Sequence, residues 1–139
     1  MRSKKGQVWV ETVVYTLIAF AIIGLVLSFV RPEIEKNQDQ SIIQQSIGIM
    51  DDIDEKIVNI KNIPGNKRVI ELSIREGSLT IDGTEDKIFF EMESKFKYSE
   101  PGTPIEEGDL TVFTREKGDL YMVNVTRNYT NYNLTYAGA

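Results

Sequence analysis

Glu11 is the ionisable residue whose position in this sequence most needs a chemical explanation. It is the only charged residue between Val8 and Val30, where 18 of the 23 residues are apolar. A charged side chain near the middle of a membrane helix costs roughly 2.5–3.5 kcal/mol on insertion scales, and less near the interface. Two explanations are open for this carboxylate. It is an interfacial side chain with no further role, or it pairs with an opposite charge supplied by another chain.

The chain offers few other groups for catalysis. Its 139 residues include no His and no Cys, so the commonest general base and the thiolate nucleophile are both missing. The acidic run at residues 51–55 lies in a predicted helix and lacks the spacing and turn glycine of a calcium loop. We therefore expect no enzyme activity, no cofactor and no metal. The net charge of −5, with no basic cluster beyond the N-terminus, also argues against a nucleic-acid partner.

Three Asn-x-Thr sequons lie within the last 16 residues, and their acceptors are Asn124, Asn128 and Asn133. This motif accepts N-linked glycans on the surface of exported chains. The tail is rich in Asn and Thr, so chance could supply one or two such motifs. Three of them favour a glycoprotein.

Residues 8–30 have the length and composition of a membrane span. A helix of this length reaches about 35 Å at about 1.5 Å per residue, enough for a hydrocarbon core of about 30 Å. Arg2, Lys4 and Lys5 precede it, which favours a cytoplasmic N-terminus with the rest of the chain outside. A cleaved secretory signal fits poorly, because the run exceeds about 7–15 residues and no small-residue cleavage site follows. An uncleaved signal anchor stays open as an alternative.

The stretch "KKGQVWVET" at the start of this segment resembles the processing site of archaeal type IV pilins. In that family a class III signal peptide, a short basic leader ending in Gly, is removed by a prepilin peptidase. The resemblance implies a leader of residues 1–6 and a cut between Gly6 and Gln7. Glu11 then stands in the fifth place after the cut, as the acidic residue of the family does.

The resemblance also implies a role for Glu11. Cleavage creates an α-amino group on Gln7, and in the family this amine on one subunit meets the Glu of its neighbour during assembly. Two charges that are each costly in an apolar setting become tolerable together. Trp9 and Tyr15 depart from the commonest pattern, which has Ser and Leu at these places.

The function implied by the resemblance is structural. The chain would be a subunit of an archaeal pilus, an extracellular filament of copies of itself or of other pilins, usually serving adhesion. It would be inserted in the membrane before assembly and found at the cell surface afterwards. The alternative is an uncleaved, single-pass membrane-anchored ectodomain for surface recognition or envelope structure.

The elements that would carry these residues form an α+β fold. The sequence predicts a long N-terminal helix at 7–62 and a small antiparallel β-sheet head at 68–139, packed on the distal half of the helix. Pro32 and the polar residues 33–41 leave open a kink or a melted turn. Beyond them an apolar stripe at helical spacing predicts the face that covers the sheet; its members are Ile42, Ile43, Ile47, Ile49, Met50, Ile53, Ile57, Val58 and Ile60.

Alternation of apolar and polar residues predicts the strands. They are placed at 69–75, 78–82, 87–99, 110–116, 120–126 and 131–136, with a loop at 99–109. The aromatic residues of the strands are interpreted as core. In the last two strands the alternation turns one set inward, namely Tyr121, Val123, Val125, Tyr132, Leu134 and Tyr136. The three acceptor asparagines then face outward.

Overall fold

The computed structural model describes residues 4–135, which form one long α-helix followed by a five-stranded antiparallel sheet. The fold is therefore α+β, as predicted. The chain divides into two compact units, one ending at Glu35 and the other beginning at Lys36. Arg2 of the predicted leader and Tyr136 of the predicted last strand lie outside the described residues.

Helix α1 runs from Lys4 to Lys61 without interruption, including the turn that contains Pro32. The proline ring removes one backbone donor, so the carbonyl of Ser28 loses its usual helical partner. The polar residues 33–41 are nevertheless helical, which excludes a melted turn there. The helix ends just before Pro64, as predicted. Gly65 follows with a φ of +86°, a conformation that favours glycine.

Five strands follow, and their spatial order is β1-β2-β5-β4-β3. All neighbouring strands are antiparallel, and β5 lies at the centre between β2 and β4. The predictions for β1, β2, β4 and β5 are confirmed, although β2 is shorter than predicted. The bounds are β1 Ser78–Asp82, β2 Lys87–Ser94, β3 Ile105–Glu107, β4 Leu110–Lys117 and β5 Leu120–Asn128.

The core of the second unit lies between one face of the sheet and the apolar stripe of α1. Ile43 and Met50 of the helix are fully buried, as are Val123 and Val125 of β5. The stripe is confirmed, except that Val58 is exposed. Of the inward set predicted for β5, Val123 and Val125 are confirmed by the same burial, whereas Tyr121 is half-buried and does not belong to the core. The core consists of Ile42, Ile43, Met50, Ile53, Ile88, Phe90, Met92, Leu110, Val112, Val123, Val125 and Tyr129.

The predicted strand at 69–75 is wrong. No described strand pairs with this segment, and only its Ile70 packs against the core. Val69 is 90% exposed, and Leu72 and Ile74 are exposed as well. The alternation of side chains tells which face of a strand would be buried, but a strand also needs a neighbour to complete its hydrogen-bond ladder. The edge strand β1 pairs with β2 only.

Two further assignments need correction. The predicted loop at 99–109 contains a short strand, β3, which pairs with the start of β4. The predicted closing strand at 131–136 is not a strand over the residues described. Its backbone is held by a side chain instead, because Leu134 N donates to Asp86 Oδ1 at 2.8 Å. Tyr132 and Leu134 are half-buried and Asn133 is exposed, so the predicted faces of this segment hold without the strand.

The aromatic residues of the strands do not all belong to the core, contrary to the prediction. Phe90 is buried beneath the helix, whereas its neighbour Phe89 is half-exposed on the opposite face of β2. Phe113 likewise alternates with the buried Val112 in β4. The outer face of the sheet therefore carries two aromatic rings among polar side chains.

Arg127 connects β5 to the helix and to the turn before β4. Its Nε donates to Asp54 Oδ1 of α1 at 2.9 Å, and a second nitrogen donates to the carbonyl of Asp109 at 3.2 Å. Burial alone would lower the pKa of Arg127, but the hydrogen bond and charge of Asp54 outweigh burial and raise that pKa. The sequence placed Asp54 on the solvated helix face. It is instead half-buried and fixes the helix to the end of β5.

We expect Asp54→Ala to lower the free energy of unfolding of this unit by about 1–3 kcal/mol, because the partly buried guanidinium loses its carboxylate partner. Urea unfolding followed by circular dichroism measures the change. The control is Glu100→Ala, which removes an exposed pair with Lys97 at 3.5 Å and should change stability by less than about 0.5 kcal/mol. Equal losses in the two variants would contradict a fixing role for Asp54.

Candidate functional site

The aliphatic hydroxyl groups in the apolar part of α1 are all satisfied within the helix. Each donates to the backbone carbonyl four residues earlier, at 2.8–2.9 Å. In an apolar medium every polar group must be satisfied inside the structure, so these side chains are compatible with lipid. The residues concerned are Thr12, Thr16 and Ser28.

Glu11 differs from these neighbours. Its side chain is exposed, and among the described residues its carboxylate makes no hydrogen bond and no ion pair. Gln7 lies one helical turn earlier, which places both residues on the same side of α1. Gly6 is also exposed, and a Cβ added there would meet nothing within 4 Å. The helix thus presents an unpaired carboxylate close to the predicted cleavage position.

The apolar side chains around Glu11 are exposed as well. Trp9, Phe20 and Phe29 each expose at least 67% of their surface. The helix from Gly6 to Lys61 is long and apolar enough to cross a membrane. An exposed apolar surface of this extent has to be covered by lipid or by protein.

No protein-family model, curated protein or solved structure matches this chain.

The first acceptor asparagine, Asn124, lies in the middle of β5. It is opposite Glu91 on one side and Phe113 on the other. Its Nδ2 donates to Glu91 Oε1 at 2.9 Å, and the hydroxyl of Thr126 donates to its Oδ1. The side chain is on the outer face, as predicted, but it is only half-exposed and both of its polar atoms are engaged.

The other two acceptors are more exposed. Asn128 is the last residue of β5, and the residue after it, Tyr129, is 2% exposed in the core. The backbone N of Tyr129 donates to the carbonyl of Asp86 at 2.7 Å. Asn133 is exposed and belongs to no strand. The three sequons therefore occupy three different structural settings.

The acidic run on α1 does not converge on a common point. Asp51 and Asp52 are exposed, whereas Asp54 is engaged by Arg127. Among residues 4–135 no group of three or more acidic side chains is arranged to hold a metal ion. These carboxylates therefore belong to the solvated face of the helix and to its contact with the sheet.

Sequence reasoning missed one further polar contact on the second unit. Tyr98 donates to Glu107 Oε1 at 2.5 Å, which ties the segment after β2 to the edge strand β3. Burial and this carboxylate raise the pKa of Tyr98 to about 12. No local sequence signal links these residues, because they meet only once β3 has formed.

Proposed function

We propose that this chain is a structural subunit of an archaeal type IV pilus-like extracellular filament. Its apolar helix would first hold the precursor in the membrane with the N-terminus on the cytoplasmic side. After removal of residues 1–6 by a prepilin peptidase, copies of the chain, alone or with other pilins, would assemble through these helices. The filament would serve adhesion at the cell surface.

The observation that carries this proposal is the unpaired carboxylate of Glu11. The hydroxyl groups of Thr12, Thr16 and Ser28 are satisfied by their own helix, whereas the only charged group of residues 8–30 has no partner among the described residues. A charge in an apolar environment is tolerable when an opposite charge neutralises it. Cleavage after Gly6 would supply that charge as an α-amino group, which is largely protonated at neutral pH.

The exposed apolar side chains support the same proposal. Lipid would cover them in the precursor, and neighbouring helices would replace lipid in the filament. Packing between helices in place of lipid relies on close van der Waals contact. The small residues Ala19, Ala21 and Gly24 of this segment leave room for such approach.

We expect cleavage between Gly6 and Gln7, because the basic leader ends in glycine directly before the apolar helix. The mature chain would then have 133 residues. It would lose the cations Arg2, Lys4 and Lys5, which moves the net side-chain charge from −5 to −8. Intact-mass measurement on protein isolated from cells tests this.

A Gly6→Leu variant is the matched control, because it changes the residue before the cut and leaves the apolar segment intact. It should keep the mass of the full chain and yield no filaments. If the unaltered protein itself retains residues 2–6, the filament proposal is wrong. The chain is then better described as a membrane-anchored ectodomain.

A further inference from the structure

The three sequons differ in how much folded structure surrounds them. Asn124 lies in the central strand, with a neighbouring strand on each side. To lift this sequon out of the sheet, the backbone pairing with both β2 and β4 would have to break. The side-chain bonds of Asn124 to Glu91 and Thr126 would break as well.

The sequon of Asn128 is held at its middle residue. Asn128 and Thr130 are exposed, but Tyr129 between them is buried in the core and packs edge-on against Tyr132 with ring centroids 5.8 Å apart. The backbone N–H of Tyr129 also donates a hydrogen bond to the carbonyl of Asp86. Presenting Asn128 in an extended conformation would pull this ring out of the core.

The sequon of Asn133 is the least constrained. Asn133 and Thr135 are exposed and lie outside the sheet. Leu134 between them is half-buried, packs against the edge of the core, and donates its backbone N–H to Asp86 Oδ1. Its carbonyl lies beside Gly83, where an added Cβ would be 2.6 Å from the oxygen. Releasing this segment disturbs the β1–β2 turn but no strand pairing.

N-linked glycosylation requires the acceptor amide to reach a membrane enzyme. The amide nitrogen of Asn attacks the anomeric carbon of a lipid-phosphate-linked sugar, so that a C–N bond forms and the C–O bond to phosphate breaks. The lipid phosphate leaves, and the amide gives up one proton. The whole Asn-x-Thr stretch has to leave the acceptor protein's surface for this step, so its local contacts decide the rate.

We infer that the fold selects Asn133 as the glycan acceptor of the folded chain and withholds Asn124 and Asn128 until the sheet is unfolded. Modification in cells rests on the proposed function, because only an exported chain meets such an enzyme. The selection itself is a property of the folded second unit and does not depend on filament assembly.

The test uses purified full-length chain in detergent micelles, with a purified oligosaccharyltransferase and its lipid-linked oligosaccharide donor. Site-resolved glycopeptide mass spectrometry follows each acceptor over time. Synthetic peptides covering residues 120–131 and 129–137 provide the unfolded reference. We expect the rate at Asn133 to be lower than that of its peptide by only about tenfold or less, because a local opening is enough to release this segment. The rate at Asn124 should be at least about a thousandfold below its peptide, since opening a central strand approaches global unfolding.

Asp86→Gly gives a second measurement, because glycine suits the positive φ of 52° at this position. It removes the hydrogen bond to Leu134 and should speed modification of Asn133 without exposing Asn124. Rapid modification of Asn124 or Asn128 on the folded chain would overturn the inference. So would peptides that show the same preference for Asn133 as the folded chain, because the sequence and not the fold would then make the selection.

Discussion

Glu11→Gln should leave the precursor inserted and processed but should reduce the yield of filaments by about tenfold or more. The substitution keeps the size and hydrogen-bonding capacity of the side chain and removes only its charge. The amine of the neighbouring subunit would then lie in apolar surroundings without a counter-charge, and an unpaired buried charge costs roughly 3–5 kcal/mol. Electron microscopy of shed filaments, with a blot for the processed monomer, measures both effects.

Glu55→Gln is the matched control for this experiment. It makes the same chemical change on an exposed side chain of the same helix, outside the apolar segment, and should leave filament yield unchanged. The second unit should stay folded in both variants, because neither residue belongs to its core. Normal filament yield in Glu11→Gln would contradict a pairing between this carboxylate and the amine of a neighbouring subunit.

Gly77→Ala should destabilise the sheet by about 3–5 kcal/mol, because the residue combines a positive φ with very close backbone packing. The φ of Gly77 is +89°. A Cβ there would lie 2.4 Å from the carbonyl oxygen of Glu91 and 2.9 Å from the Cβ of Met92. These atoms belong to β2, so accommodating a methyl group requires β1 and β2 to separate where their pairing begins.

Gly102→Ala separates the cost of a positive φ from the cost of close packing. Gly102 has a similar φ of +80°, but an added Cβ would meet nothing within 4 Å. This variant should lose only the conformational part, roughly 1–2 kcal/mol. Native-state hydrogen exchange of the β2 and β5 amides, in full-length chain in detergent, gives both values. If the two substitutions cost the same, close packing at Gly77 contributes nothing to the stability of the sheet.

The helix and its two faces could be predicted because they follow from local periodicity. The predominantly apolar residues before Arg31 and the apolar spacings of three and four after Ser41 both belong to a single element. The strand faces of β2 and β5 were predictable for the same reason. The segment at 69–75 has equally good alternation, yet it has no pairing partner, and a partner is a property of the whole fold. β3 was missed because three residues between Pro104 and Gly108 are too few to show a period.

The candidate site also has parts that local sequence could predict and parts that it could not. Gly6, Gln7 and Glu11 could be selected from a short stretch of sequence, because the leader and the isolated carboxylate are adjacent in the chain. The partner proposed for Glu11 belongs to another copy and lies beyond any single chain. The contact of Arg127 with Asp54 joins residues 73 positions apart. No local sequence pattern around either residue indicates this contact, so Asp54 was predicted to lie on the solvated face.

The central place of β5 fixes the order in which the second unit can fold. β5 comes after the other four strands in the chain, and its pairs with β2 join residues 27 to 41 positions apart. Such long-range pairing is slow to form, and the β1–β2 hairpin without a third strand is only marginally stable. The sheet can therefore close only after residue 128 has been synthesised and has left the ribosome. In the interval between that moment and closure, the amide of Asn124 is open to an enzyme without any strand having to unfold.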